Sequence, residues 1–159
     1  MNESETLHTE LLNRLAATPM KIVRLVAGLT AQQLQTAPAS GGWAPREILA
    51  HLRASDDILT SRIQMLLTRD NPPIYAFDER RWAELAGYAS HNFHTSLTLF
   101  TLRRDEIIKI LEQLPAEAWE RVGTHEINGP FSLTSLLEKI ARHEEEHCIQ
   151  LEQFAATYL

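Results

Sequence analysis

Apolar residues return every three or four positions in four long stretches of this chain and almost nowhere alternate, so the fold must be built from helices. The first stretch covers about residues 3–29, with Leu11, Leu12, Leu15, Ile22, Val23, Val26 and Leu29 on one side and Pro19 bending it midway. Thr30, followed three residues later by Gln33, reads as a capping box opening a short helical turn, and PASGG then breaks the chain. Pro45 suits the first turn of a second helix, which carries Ile48, Leu52, Leu59, Ile63 and Leu66 and ends near Arg69. A connection of about twenty residues with two prolines follows, holding one short helix around Glu79 to Leu85. The third long helix runs from about Ser90 to Leu114, with Phe93, Leu97, Phe100, Ile107, Ile108 and Leu111 as its buried stripe, and Pro115 ends it. After a turn around Trp119 and the loop GTHEINGPFS, Ser132 caps the fourth, which carries Leu133, Leu136, Ile140, Leu151 and Phe154 to about Thr157. The pattern predicts an all-α four-helix bundle. Antiparallel neighbours need only short loops, so the long connection between the second and third long helices implies a crossover rather than a plain up-down-up-down order.

A length of 159 residues with 44% hydrophobic content suits one domain spanning residues 1–159. The formal net charge of -6 leaves no overall basic surface for phosphate backbones, which argues against nucleic acid as a partner. The N-terminus is polar and acidic, without the cationic start and apolar run of a secretory signal. No apolar stretch approaches the roughly 20 residues needed to span a bilayer, so no membrane association is expected. A single cysteine, Cys148, allows no intrachain disulfide and suits a reducing cytoplasm.

The stretch RHEEEHCIQ places two histidines four residues apart, with a glutamate after the first, and so satisfies the H-E-x-x-H pattern of zinc peptidases. With Leu136 set to zero on a helical wheel, His143 falls at about 340° and His147 at about 20°, inside the apolar stripe, whereas the three intervening glutamates fall outside it. Burying two imidazoles one turn apart is unfavourable unless each ring nitrogen finds a partner, and a shared divalent cation provides one for both. His51 on the second helix lies at the border of its buried face and is the best third ligand; His51, His143, His147 and solvent would form an open site suited to chemistry. Three imidazoles and water suit zinc, nickel, copper or iron. The bland alternative is a set of neutral core histidines bonded to hydroxyl or carboxylate groups. The peptidase reading, with Glu144 as base, needs a ligand downstream of His147, and Glu152 lies about 140° away on the wheel.

Arg104 enters the apolar face of the third helix and must be paired there, in an ion pair or, as the weaker reading, with an anionic substrate. Arg62 also faces inward, about 16 Å along the axis from His51. His125, in the GTHEINGP loop, is a weak candidate for substrate contact beside its default loop-bracing role. Glu47, one turn before His51, is either a solvated first-turn carboxylate or a group orienting that imidazole. Trp43, Trp82 and Trp119 read as packing residues. Cys148 lies away from the inferred site and reads as a plain packed thiol.

Taken together, GGWAPREILAHL, the arginine of LRRDEII, the loop GTHEINGPFSLTSLL and the ending ARHEEEHCIQL resemble the DinB superfamily, including its YfiT-like members, over nearly the whole chain. The resemblance implies a metal-binding four-helix bundle, a divalent cation such as zinc or nickel, and a homodimer. Its metal-binding histidines fall on His51, His143 and His147, the triplet selected by the helical faces. Some members are thiol S-transferases that attach a low-molecular-weight thiol to electrophiles, others are only named as hydrolases, and many have no assigned activity. The expected partner is therefore a small-molecule ligand or thiol. A metal-dependent thiol transfer is the first expectation, with a non-catalytic metal- or ligand-binding, stress-associated module as the second and a metal-dependent hydrolase as the third.

Overall fold

The computed structural model describes residues 3–158. Four long helices account for most of it: α1 (Glu3–Val26), α2 (Pro45–Thr68), α4 (Phe93–Leu111) and α5 (Leu133–Ala155), with a short α3 (Glu79–Leu85) in the crossover. Each start has a local cause. Pro45 occupies the first turn of α2, and the Glu47 carboxylate reaches back to accept the Ala44 N–H at 2.8 Å. The Asn92 side chain caps α4, so that helix begins three residues later than the periodicity alone suggests. Ser132 and Ser135 cap the start of α5 reciprocally, each hydroxyl accepting the other's backbone N–H. Thr30 and Gln33 form the expected box, followed by a 3-10 turn.

The core divides into two apolar halves that fix the helix directions. One half joins Leu11 and Leu15 of α1, Leu59 to Leu66 of α2, Ile107 and Leu111 of α4, and Leu133 to Ala141 of α5. The other joins the C-terminal part of α1, the N-terminal parts of α2 and α4, and Cys148 and Leu151 of α5. Hence α1 and α5 run one way and α2 and α4 the other. The main contacts pair α2 with α4, α1 with α5, α1 with α4 and α2 with α5, so α1 and α2, and likewise α4 and α5, lie across the diagonal. Because α2 and α4 are parallel neighbours, the chain between them must travel back along a 24-residue helix, about 36 Å. That requirement explains the long crossover.

A three-stranded sheet, absent from the helical reading, closes one end. Strand β1 (Pro73–Ile74) pairs in parallel with β2 (Val122–His125), which pairs antiparallel with β3 (Gly129–Ser132). The loop GTHEINGPFS is therefore mostly a hairpin. Strands of two to four residues carry too few positions for a period-two signal. Gly123 lets β2 pass close to α2, since a Cβ there would lie 2.9 Å from a Leu66 methyl and 3.1 Å from the Pro72 carbonyl oxygen. Arg121 donates to the Leu66 and Arg69 carbonyls at the end of α2, tying the sheet to the bundle.

Between the two apolar halves lies a buried ion cluster. Arg104, fully buried on α4, donates from Nη1 to the Leu15 carbonyl of α1 and to Glu144 Oε2 of α5, both at 2.9 Å. From Nη2 it donates to Glu144 Oε1 and, at 2.7 Å, to Asp56 Oδ1 of α2. One guanidinium thus touches all four long helices. Asp56 Oδ2 has no protein partner. Burial raises the Asp56 pKa to about 7, with Arg104 pulling it back and the Glu144 charge adding to the rise.

Removing one side of a buried pair leaves the other charge uncompensated, so Arg104→Met is expected to lower unfolding free energy by roughly 3–5 kcal/mol. Asp56→Asn, which replaces the acid holding Arg104 through one oxygen, should lose less than Glu144→Gln, which breaks a two-oxygen grip. Urea unfolding of the three variants checks both the size and the order.

Candidate metal centre

The second and last helices bring three imidazoles together where α2 crosses α5. His51 Nε2 lies 2.9 Å from His143 Nε2, and His147 Nε2 lies 3.1 Å from His143 Nε2. All three ring nitrogens fall within 4.8 Å of one another. The convergence follows from sequence: His143 and His147 are one turn apart on the face that α5 turns to α2, and the antiparallel packing sets His51 opposite them. His51 and His147 are buried and His143 is half-buried.

Without a cation the three nitrogens cannot all be satisfied. His143 Nε2 carries either one proton or one lone pair, so one of its two close contacts lacks a well-aimed hydrogen. A cation accepting three lone pairs removes that conflict. The second nitrogen of His147 supports the required tautomer, because Nδ1–H donates to Gln150 Oε1 at 2.9 Å and leaves the Nε2 lone pair free. Burial, then the His147 and His143 charges, hold the His51 pKa down at about 3. Burial and His143 hold His147 at about 4, against the upward pull of the Gln150 hydrogen bond. Both rings are therefore neutral near neutral pH, the state in which imidazole binds a metal.

Trp43 walls the site, its ring centroid 4.9 Å from that of His51 and 6.4 Å from that of His147, its plane nearly parallel to the latter. From His147 a cleft of about 1360 Å³ opens toward solvent, bounded by Trp43, Tyr88, Gln150 and Phe154, with part of α3 as its outer wall. Two groups escaped the sequence reading. Gln150 could have been found as the polar residue three positions after His147, but Tyr88, in an unpatterned loop of the crossover, left no signal.

The remaining candidates lie elsewhere. Arg104 takes the ion-pair role and has no exposed surface for a substrate anion. Its partner Glu144 is buried in that pair, which withdraws the would-be base of the peptidase reading. Glu144 sits inward although it falls off the α5 stripe, because α5 packs on both α1 and α2 and buries a wider arc. His125 lies on β2, at the C-terminal end of α2, where its Nδ1 accepts from the Ile127 and Asn128 N–H groups. It braces the hairpin turn and does not join the three histidines. Glu47 bonds the Ala44 N–H rather than His51. Arg62 donates to the Tyr75 carbonyl. His8 stacks on Trp119 with centroids 4.0 Å apart, at the far end of α1, and Trp82 is exposed rather than packed. Cys148 is buried, and burial raises its thiol pKa to about 11, keeping it protonated.

Comparison with known proteins agrees with this architecture. "Putative metal-dependent hydrolase OB0782" from Oceanobacillus iheyensis is 30% identical over 138 residues, covering 87% of this chain and 80% of that one. A second protein of that organism, "Putative metal-dependent hydrolase OB0413", is 26% identical over 148 residues, covering 93% and 84%. Among solved structures, YfiT from Bacillus subtilis, described as a probable metal-dependent hydrolase with an unusual four-helix bundle topology, superposes with a TM-score of 0.88. It is 23% identical, with 99% of this chain and 89% of that one covered. The mycothiol-dependent maleylpyruvate isomerase superposes with a TM-score of 0.74 at 16% identity, covering 95% of this chain and 63% of that one. The diagonal helix order described above is thus shared, and with a family match running over residues 14–151 the chain belongs to the DinB superfamily.

Proposed function

We propose that this protein is a metal-dependent enzyme that activates a thiol for transfer to an electrophile, with His51, His143 and His147 holding the cation. The observation that carries the reading is the meeting of three Nε2 atoms from two helices beside an open cleft that His147 lines. A divalent cation bound there would lower the pKa of a thiol or water reaching it. The chain's own residues bind and orient: Gln150 fixes the His147 tautomer, and Trp43 shields the imidazoles from bulk water on one side. Thiol is preferred over water because Glu144, the carboxylate that the H-E-x-x-H spacing offers as base, is held by Arg104 and cannot take a proton from water. A thiol, with an ordinary pKa near 8.5, needs far less help to ionise. Hydrolysis is the second reading, favoured by the names of the relatives and by Glu47, a cleft carboxylate one turn before His51.

Protein purified without an affinity tag should carry a divalent metal near one per chain, and His143→Ala should lose it; equal metal content in the two would remove the premise. Gln150→Leu should keep all three ligands yet weaken metal affinity about tenfold, read by competition with a chelating dye.

Reactivity separates the two readings. The metal-loaded protein, offered a panel of low-molecular-weight thiols with 1-chloro-2,4-dinitrobenzene, should form thioether faster than the metal-free protein. Metal-dependent turnover of p-nitrophenyl acetate alone, with no thiol conjugation, would decide for hydrolysis.

Acid should act on the metal-free fold in a defined direction. The folded pKa values of His51 and His147 lie below the unfolded value of about 6.5. The unfolded chain therefore binds more protons, and stability present above pH 6.5 is lost as pH falls toward 4 and 3. Asp56, raised in the fold, contributes the opposite slope, one group against two. Replacing both His51 and His147 by Gln should flatten the fall in melting temperature over this window.

A further inference from the structure

The cleft that leads to His147 has two chemically different parts, and their arrangement bears on which molecules can enter. Near the histidines the wall is aromatic: Trp43 adjoins His51 and His147, Tyr88 packs edge-on against Trp43 with centroids 6.1 Å apart, and Phe154 continues the surface from α5. Farther out the wall is charged. Glu79, Arg80 and Glu84 of α3 line it, with Glu47 on the α2 side.

Those outer charges are unbalanced. Three carboxylates face one guanidinium, and among the described residues neither Glu79, Glu84 nor Arg80 makes an ion pair. The nearby Arg53 is paired with Asp57 at 3.6 Å, and Arg62 donates to the Tyr75 carbonyl while partly offsetting the Glu79 charge; neither arginine lines the cleft. No lysine lines it either. The chain's net charge of -6 adds a weak field of the same sign.

Resting on the metal-centre reading above, we infer that the cleft selects molecules that pair an apolar or aromatic portion with a neutral or positively charged outer end, and that Glu79 and Glu84 set this charge preference. The aromatic wall receives the apolar portion beside the cation, while an anionic outer end meets the Glu84 carboxylate and the partly offset Glu79. Both glutamates are exposed, so the effect is moderate and screened by salt. It acts on selectivity without touching the ligands.

The test uses cobalt-loaded full-length protein and benzohydroxamates that differ only at the para position: trimethylammonium, methyl or sulfonate. The hydroxamate end is common to all three, so differences in Kd, followed through the cobalt absorption spectrum, report the cleft. The trimethylammonium probe should bind roughly five- to tenfold more tightly than the sulfonate at low ionic strength, with the gap narrowing as salt is added. Glu79→Gln with Glu84→Gln should close most of the gap while leaving the methyl probe unchanged. Acetohydroxamate, which lacks the ring, should bind at least several-fold more weakly than the methyl probe. Equal or reversed affinities in the native protein, or a gap that survives the double variant, would overturn the charge assignment, and acetohydroxamate binding as well as the ring compound would overturn the aromatic one. Failure of every probe to bind, or failure of cobalt to load, would instead strike the metal centre itself and this inference with it.

Discussion

A single guanidinium in the middle of the bundle sets the frame for everything else. Arg104 bonds to α1, α2 and α5 from its own position on α4, so sliding or rotating any one helix would strand a buried charge or carbonyl. Apolar packing is tolerant of small shifts because it is non-directional; a fork of N–H donors is not. Two of the groups it holds are bound to the histidines by the chain. Glu144 lies between His143 and His147, and Asp56 lies five residues beyond His51, so the bonds that register α2 against α5 also govern whether the imidazoles face each other.

The topology divides labour between rigid and variable parts. Parallel neighbours α2 and α4 require a connection as long as the bundle, and that connection does more than return the chain. Its short helix α3 becomes the outer wall of the cleft, while the histidines stay on long helices whose rotamers are confined by core packing. Reactive groups on rigid elements with a loop-built wall around them allow the wall to change without disturbing the centre.

Much of this was legible in the sequence, for physical reasons that differ by residue. The four helices follow from period and caps, and the pairing of His143 with His147 on one face is simple helical geometry. His51 was reachable because it borders the apolar side of α2. Glu144 was misplaced by the same arithmetic, since a wheel referenced to one stripe ignores the second neighbour that α5 packs against. The sheet escaped because its strands are too short to show a period, and β1 finds β2 only through a contact some fifty residues away in the chain. Gln150 and Tyr88 were hidden differently: each matters through one local relation, to His147 and to Trp43, that no periodicity encodes.

The fate of Glu144 carries the most weight for chemistry. By spacing alone it is the general base of a zinc peptidase; by structure it is the strongest partner of Arg104 and faces away from the cleft. A carboxylate cannot serve both roles, because releasing it to accept a proton would leave a buried guanidinium held by Asp56 through one oxygen. The fold thus commits to registration the group that a peptidase-type hydrolysis would use, leaving a centre of three imidazoles. On the function proposed above, such a centre suits a nucleophile that requires little assistance in losing its proton, a condition a thiol meets more readily than water.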